Sequence, residues 1–193
     1  MASIQAFLER RLRLRVNQEK SAVAPVLHRQ FLGYRLHRDG SLGISPAAYR
    51  RAKARLRAIT SRRRGVPLSQ VIAEVNAFTT GWVRYFQHAH AQTALQALDQ
   101  WLRRRLRCFR LKQAKTPSGL RSLLTRNGVP PPDARKLAGS GRGWWPLANT
   151  PQAARALSQA WFDQRGLKTL VAHYKAVTTT DNRRGTRCVR PVV

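Results

Sequence analysis

The apolar positions of this chain fall into helical stripes along most of its length. Leu68, Val71, Ile72, Val75, Phe78, Trp82 and Phe86 recur at three- and four-residue steps, one face of a 3.6-residue helix. Leu95, Leu98, Leu102, Leu106 and Phe109 repeat the pattern in the next segment. The spacing predicts two consecutive helices over 71–115. Pro67 opens the first, which ends near His90, and Thr93 helps to start the second. Trp82, Phe86, Leu98, Leu102 and Leu106 are the expected core.

Upstream, Ser45-Pro46 reads as an N-cap followed by proline at the first helical position. Tyr49, Ala52, Leu56 and Ile59 form the inner face of that helix, and SRRRG stops it at Gly65. Three helices with short connections favour an up-down-up bundle. Ahead of it, Ile4, Phe7, Leu8 and Leu12 suggest a short N-terminal helix. The alternation of Leu12, Leu14 and Val16 with arginines predicts a strand, and FLGYRLHRDGSLGIS predicts a hairpin turning at Asp39-Gly40. Beyond Lys115 the pattern breaks at TPSG. A short helix over 120–126 is closed by Asn127-Gly128, Asp133 caps another, and a helix over 151–164 buries Ala154, Leu157, Ala160 and Trp161. A last one begins near Leu167.

The fold class is therefore mainly α: a small N-terminal helix and β-hairpin, a three-helix bundle, and further short C-terminal helices. The boundaries expected are 1–44, 45–116 for the bundle, 117–176, and 177–193. The last stretch, rich in Thr, Asn, Arg and Gly, reads as a disordered basic tail.

Charge changes this picture most. Lys and Arg number 37 against 8 acids, a net charge of +29, in a chain of 193 residues. A folded body carries such self-repulsion best against a polyanion, and nucleic acid is the first candidate. The cationic positions cluster on the predicted helices: Arg50, Arg51, Lys53, Arg55 and Arg57, then Arg62, Arg63 and Arg64, then Arg103, Arg104, Arg107 and Arg110 with Lys112 and Lys115. Arg103, Arg107 and Arg110 share the face opposite the leucines, with Arg104 and Arg105 spread around it, and are expected to form one phosphate-tracking stripe. The ordinary alternative is a solvated helix surface, but such surfaces carry alternating signs, and the acids are missing here. A membrane surface ranks second, and no apolar run approaches the ~20 residues of a spanning helix.

Catalytic and metal signatures are weak. The acids Glu9, Glu19, Asp39, Glu74, Asp99, Asp133, Asp163 and Asp181 include no adjacent pair and none one turn apart on a predicted helix. Each reads as a cap, a turn or a surface charge, so no metal site and no catalytic residue is assigned. His88 and His90 lack a third ligand. Cys108 reads as a packed side chain, and with Cys188 it forms no framework, which fits a reducing cytoplasm. Trp144 and Trp145 in GRGWWP could stack on a base or plug the core.

In their order these motifs resemble the C-terminal half of bacterial group II intron-encoded proteins, which join a reverse transcriptase to an RNA-splicing maturase. The likeness extends to about Tyr174. LRLRVNQEKS, with Asn17 and Lys20, is similar to the stretch near the end of the palm. FLGYRL, with Phe31, Leu32, Gly33 and Tyr34, resembles the hairpin that grips the primer end. The run from Tyr49 to Lys115 resembles the maturase-specific domain, also called thumb or X domain. GRGWWPLANTP followed by ALSQAWF resembles the closing segment. The palm's aromatic-x-Asp-Asp motif and a His/Cys-rich endonuclease segment are absent from the sequence.

The resemblance implies a palm-end remnant followed by a thumb, from a truncated or internally initiated frame of a mobile genetic element. It implies intron RNA, or DNA, as partner and no protein catalytic residue, because splicing chemistry in this family belongs to the RNA. A second implication is the thumb of a split reverse transcriptase, completed by a separate palm and fingers polypeptide that would bring Mg2+. A third is a basic remnant without a specific partner.

Overall fold

The computed structural model describes residues 2–17, 25 and 30–185. Helix α1 (Ala2–Arg11) precedes a small sheet of β1 (Gln30–Phe31), β2 (Tyr34–Leu36) and β3 (Leu42–Ile44). Helices α2 (Pro46–Ile59), α3 (Leu68–Tyr85) and α4 (Gln92–Lys112) form the body. Then follow α5 (Pro117–Arg126), α6 (Pro131–Ala138), α7 (Trp144–Leu147), α8 (Pro151–Ala156), α9 (Gln159–Asp163) and α10 (Leu170–Gly185). The mainly helical class is as expected.

The hairpin forms with its predicted turn, but as part of a three-stranded antiparallel meander in the order β1-β2-β3. Gly40 takes φ 77° in the Asp39-Gly40 turn, and the Asp39 carboxylate accepts from the Ser41 N–H and hydroxyl at 3.0 and 2.7 Å. The other turn has only Leu32 and Gly33 between paired Phe31 and Tyr34, with φ of 50° and 81°. Positive φ at both central residues is the two-residue turn whose twist suits a hairpin. Leucine is an unfavourable occupant there.

The strand expected at 12–16 does not form. Arg13 takes φ 52° and the Leu14 N–H returns to the Leu8 carbonyl at 3.0 Å, so the chain folds back on the end of α1. Leu12 and Leu14 are left exposed. Among the described residues the alternation there pairs with no strand.

Helix α2 starts as predicted, with Ser45 Oγ accepting the Ala48 N–H at 3.2 Å. It stops at Ile59, well short of Gly65, because Thr60 turns its hydroxyl onto the Leu56 carbonyl at 2.6 Å. Helix α3 likewise ends at Tyr85 rather than near His90. Phe86 and Ala89 turn inward, and the His90 N–H bonds the Leu42 carbonyl at 2.6 Å. Thr93 does not cap α4, whose cap position is Ala91.

Helix α4 buries Leu95, Leu98, Leu102, Leu106 and Phe109, and also Asp99, Cys108 and Leu111. It is packed by α2, α7 and α10, and α10 also lies against α3. The three-helix bundle is thus enclosed by the C-terminal elements, and α4 is its centre. This placement has consequences for its arginines.

The C-terminal part departs from expectation in detail. Helix α5 begins already at Pro117, because Thr116 Oγ1 accepts the Gly119 N–H at 3.0 Å. Its end is as read: Gly128 at φ 82° lets the Val129 N–H reach the Leu124 carbonyl at 3.1 Å. Asp133 lies inside the first turn of α6, and Pro130 occupies the cap. Two helices replace the one expected over 151–164, because Ser158 starts α9 afresh by accepting the Trp161 N–H at 3.3 Å. The inward residues become Ala153, Ala156, Leu157 and Phe162. Ala160 is exposed, and Ala154 and Trp161 are half-buried. Helix α10 continues to Gly185 across the boundary expected at 176/177. The Thr178 and Thr179 hydroxyls satisfy the carbonyls of Tyr174 and Lys175 at 2.9 and 2.8 Å. The rest of the expected tail lies outside the described residues.

Candidate nucleic-acid interface

Helix α2 turns Ala48, Ala52, Leu56 and Ile59 inward. Helical periodicity then sends Arg50, Arg51, Arg55 and Arg57 outward, and all four are exposed. Arg62 and Arg63 continue the exposed cationic run beyond the helix end. Lys53 is half-buried, its ammonium 5.5 Å from the Tyr49 ring centre and 5.2 Å from that of Trp101. Arg64 is committed elsewhere. Its guanidinium holds Glu74 in a fork of 2.8 and 2.7 Å and also donates to the Ile59 carbonyl at 2.8 Å. The same hydrogen bonds lower the Glu74 carboxyl below its ordinary range.

The arginines of α4 are different. Arg103, Arg104, Arg105, Arg107 and Arg110 are all half-buried. Arg105 donates to Thr60 Oγ1 at 3.0 Å, to the Arg57 carbonyl at 3.0 Å and to the Thr60 carbonyl at 3.2 Å. Those are the open carbonyls at the C-terminal end of α2, where a cation is favoured. Arg107 donates to the Leu157 carbonyl at 3.0 Å, just past α8. Arg104 donates to the Trp145 carbonyl at 3.1 Å and lies 4.0 Å from the Trp145 ring centre. Lys112, though exposed, donates to the Arg62 carbonyl at 3.1 Å. Burial lowers the pKa of Arg105, Arg107 and Arg110 from the usual guanidinium value. Arg103, Arg107 and Arg110 are therefore half-buried rather than one fully exposed stripe, because C-terminal elements lie along that side of α4. Lys115, by contrast, is exposed, at φ 59°.

Next to the α2 face sits an aromatic groove. The hairpin turn docks on the end of α3: Tyr34 donates its hydroxyl to the Tyr85 carbonyl, and Tyr85 donates to the Leu32 carbonyl at 2.8 Å. Phe86 packs between Tyr34 and Trp82, with ring centres 5.0 Å from each. A Cβ on Gly33 would come within 3.2 Å of the Phe86 ring, so this position combines close approach with positive φ. Trp82 is half-buried rather than a core plug, and it lines the groove with Phe78, Leu32, Arg51 and Arg55. Phe31 and Leu32 project at the rim, 70% and 66% exposed. The groove thus offers apolar faces beside two cations.

Residues 49–128 match the family model for the group II intron maturase-specific domain. That stretch is similar to a maturase-specific domain. The matched span runs from Tyr49 in the first turn of α2 to Gly128 after α5, and so contains the exposed arginine face and its buried counterpart. A comparison with curated proteins gives no match.

The remaining sequence expectations fall outside this domain or change role within it. Asn17 is exposed, and Lys20 lies outside the described residues. Trp144 and Trp145 are half-buried at the start of α7, and Trp145 has one face taken by Arg104. Among the described residues no group of three His, Cys, Asp or Glu side chains is placed to hold a metal, and no helix is long and apolar enough to cross a membrane. Burial raises the Cys108 thiol, although Arg62, Arg105 and Arg104 act against that shift.

Asp99 reads from the sequence alone as a cap, a turn or a surface charge. It is 5% exposed and accepts the N–H groups of Leu170 and Val171 at 3.0 and 3.1 Å, capping α10 from another helix. Burial raises its pKa, with the two backbone bonds opposing. The signal was present: Asp99 stands among Leu95, Leu98 and Leu102 on the apolar face of α4. Tyr85 was missed for a different reason, since its role depends on where the hairpin docks.

Proposed function

We propose that this maturase-domain protein binds structured intron RNA through the exposed face of α2 and the adjoining aromatic groove, and favours the splicing-competent fold of that RNA. The observation that carries the reading is the row Arg50, Arg51, Arg55 and Arg57. These cations lie exposed on a helix within the maturase-specific match and beside a groove lined by Trp82 and Phe86. Guanidinium groups fork onto phosphates, and aromatic faces accept unstacked bases. RNA supplies the splicing chemistry, so the protein's contribution is neutralisation of crowded phosphates and selection of one RNA conformation.

The test compares intron RNA with a random RNA of equal length at the same salt, using the full chain. Tighter binding to the intron and faster self-splicing at limiting magnesium are expected. Equal affinity for the two RNAs would leave only a non-specific basic protein.

A second reading, the thumb of a split reverse transcriptase, draws on the N-terminal region. Ile4, Phe7, Leu12, Leu14, Phe31 and Leu32 are each more than half exposed there. Such a concentration of apolar surface suits a protein partner. Copurification with a separately expressed palm and fingers polypeptide, and primer extension by that mixture alone, is the outcome that favours it.

A further inference from the structure

The start of α3, the end of α4 and helix α9 line an open cavity of about 600 Å³. Pro67, Leu68 and Ile72 give it an apolar wall, and Arg110, Trp161 and Arg165 complete the lining that concerns us. The Arg165 guanidinium lies 3.5 Å from the Trp161 ring centre and donates to the Trp161 carbonyl at 2.9 Å, which fixes its place. Arg110 is half-buried and feels the like charges of Arg165 and Arg126. Among the described residues the ion pair is Arg64 with Glu74, so none of these three guanidinium groups has a carboxylate. Helix α3 also begins here without a side-chain cap or an acid in its first turn, which adds partial positive charge of the same sign.

Converging cations that lack acids are unfavourable in the empty protein and favourable once an anion enters. A bare phosphate would explain the arginines but not the apolar wall. A phosphate joined to a planar ring explains both. We infer that this cavity takes a single unstacked nucleotide of RNA, its phosphate on Arg110 and Arg165 and its base against Pro67, Leu68 and Ile72. The inference rests on the RNA-binding reading for its source of nucleotide, but it uses a site separate from the α2 face.

The test titrates the full chain with adenosine 5′-monophosphate, adenosine and inorganic phosphate. Saturable binding of the monophosphate is expected, with competition by phosphate and weaker binding of adenosine by about tenfold, the loss of a charge-assisted contact. Arg165→Gln, at an exposed position, should weaken the monophosphate by about tenfold with an unchanged circular dichroism melt. An Arg51→Gln/Arg55→Gln double variant should weaken intron RNA and leave the monophosphate alone. The proposal is overturned by absence of saturable monophosphate binding, or by binding that Arg51→Gln/Arg55→Gln abolishes and Arg165→Gln does not. Photocrosslinking of intron RNA carrying 4-thiouridine identifies the source. Crosslinks in the peptides of Leu68 or Trp161 support an RNA nucleotide, and monophosphate binding without them would overturn the RNA assignment while leaving the α2 reading untouched.

Discussion

Helices α2 and α4 are both rich in arginine, and they use it in opposite ways. In α2 the guanidinium groups of Arg50, Arg51, Arg55 and Arg57 are exposed, and removal of any one should touch few protein neighbours. In α4 Arg105 and Arg107 reach carbonyls at the ends of other segments. The difference is enclosure. Helix α2 has one buried stripe, whereas α4 is packed by α2, α7 and α10. A long cationic side chain on an enclosed helix keeps its stem in apolar surroundings and spends its head group on backbone acceptors. An arginine-rich helix therefore offers its charge to a partner only where its neighbours leave it open.

The sharpest way to break this contrast is the double variant Arg105→Gln/Arg107→Gln. It removes charge-assisted bonds to the Arg57, Thr60 and Leu157 carbonyls and should cost about 2–4 kcal/mol of stability. Chemical denaturation measures it. A loss below about 0.5 kcal/mol, the range of ordinary surface changes, would return α4 to the list of open surfaces.

The counterpart replaces Arg50, Arg51, Arg55 and Arg57 together with Gln. Helix propensity is nearly kept, so stability should change by less than about 1 kcal/mol. RNA affinity should fall, and the slope of log affinity against log salt should become shallower by about 3, as expected for four lost phosphate contacts. An unaltered slope in filter-binding experiments would move RNA binding away from α2.

Asp99 sharpens the contrast from the acidic side, because it serves the enclosed helix alone. Asp99→Asn keeps one acceptor for the α10 amides and should cost about 1–2 kcal/mol in acid, and less near neutral pH where the wild-type carboxylate bears the burial penalty. Its pH dependence has a definite sign. The folded pKa lies above the unfolded value, so the folded chain holds this proton to higher pH. Stability contributed by the group is present below the unfolded pKa and falls as pH rises through the folded one. The wild type should thus lose stability relative to Asp99→Asn on going upward from about pH 4. Parallel stability curves for the two proteins would assign the titration elsewhere.

The smallest effect belongs to the hairpin beside α2. Leu32→Asn would create Asn-Gly at the two positive-φ positions and should stabilise by about 0.5–1 kcal/mol. If the apolar rim at Leu32 serves binding, the same variant should weaken RNA or palm association while melting at a higher temperature. A gain in stability with no change in either association would reduce Leu32 to a tolerated strain.

Much of this was legible without coordinates. The i, i+3, i+4 spacing placed α2, α3 and α4 and named Leu98, Leu102, Leu106 and Phe86 as core, since periodicity is a property of one helix by itself. Ser45-Pro46 and Asn127-Gly128 marked ends correctly because capping is settled within a few residues. The net charge likewise depends on composition alone. Failures began where a residue's role depends on a distant neighbour. Trp82 and Trp161 sit on apolar faces in the sequence, yet each meets a groove rather than a closed core. The arginines opposite the leucines of α4 look like a surface until α7, α8 and α10 are placed beside them. Their sequence neighbours carry no record of that covering, because local spacing fixes which way a side chain points from its own helix, and only packing decides what stands there to receive it.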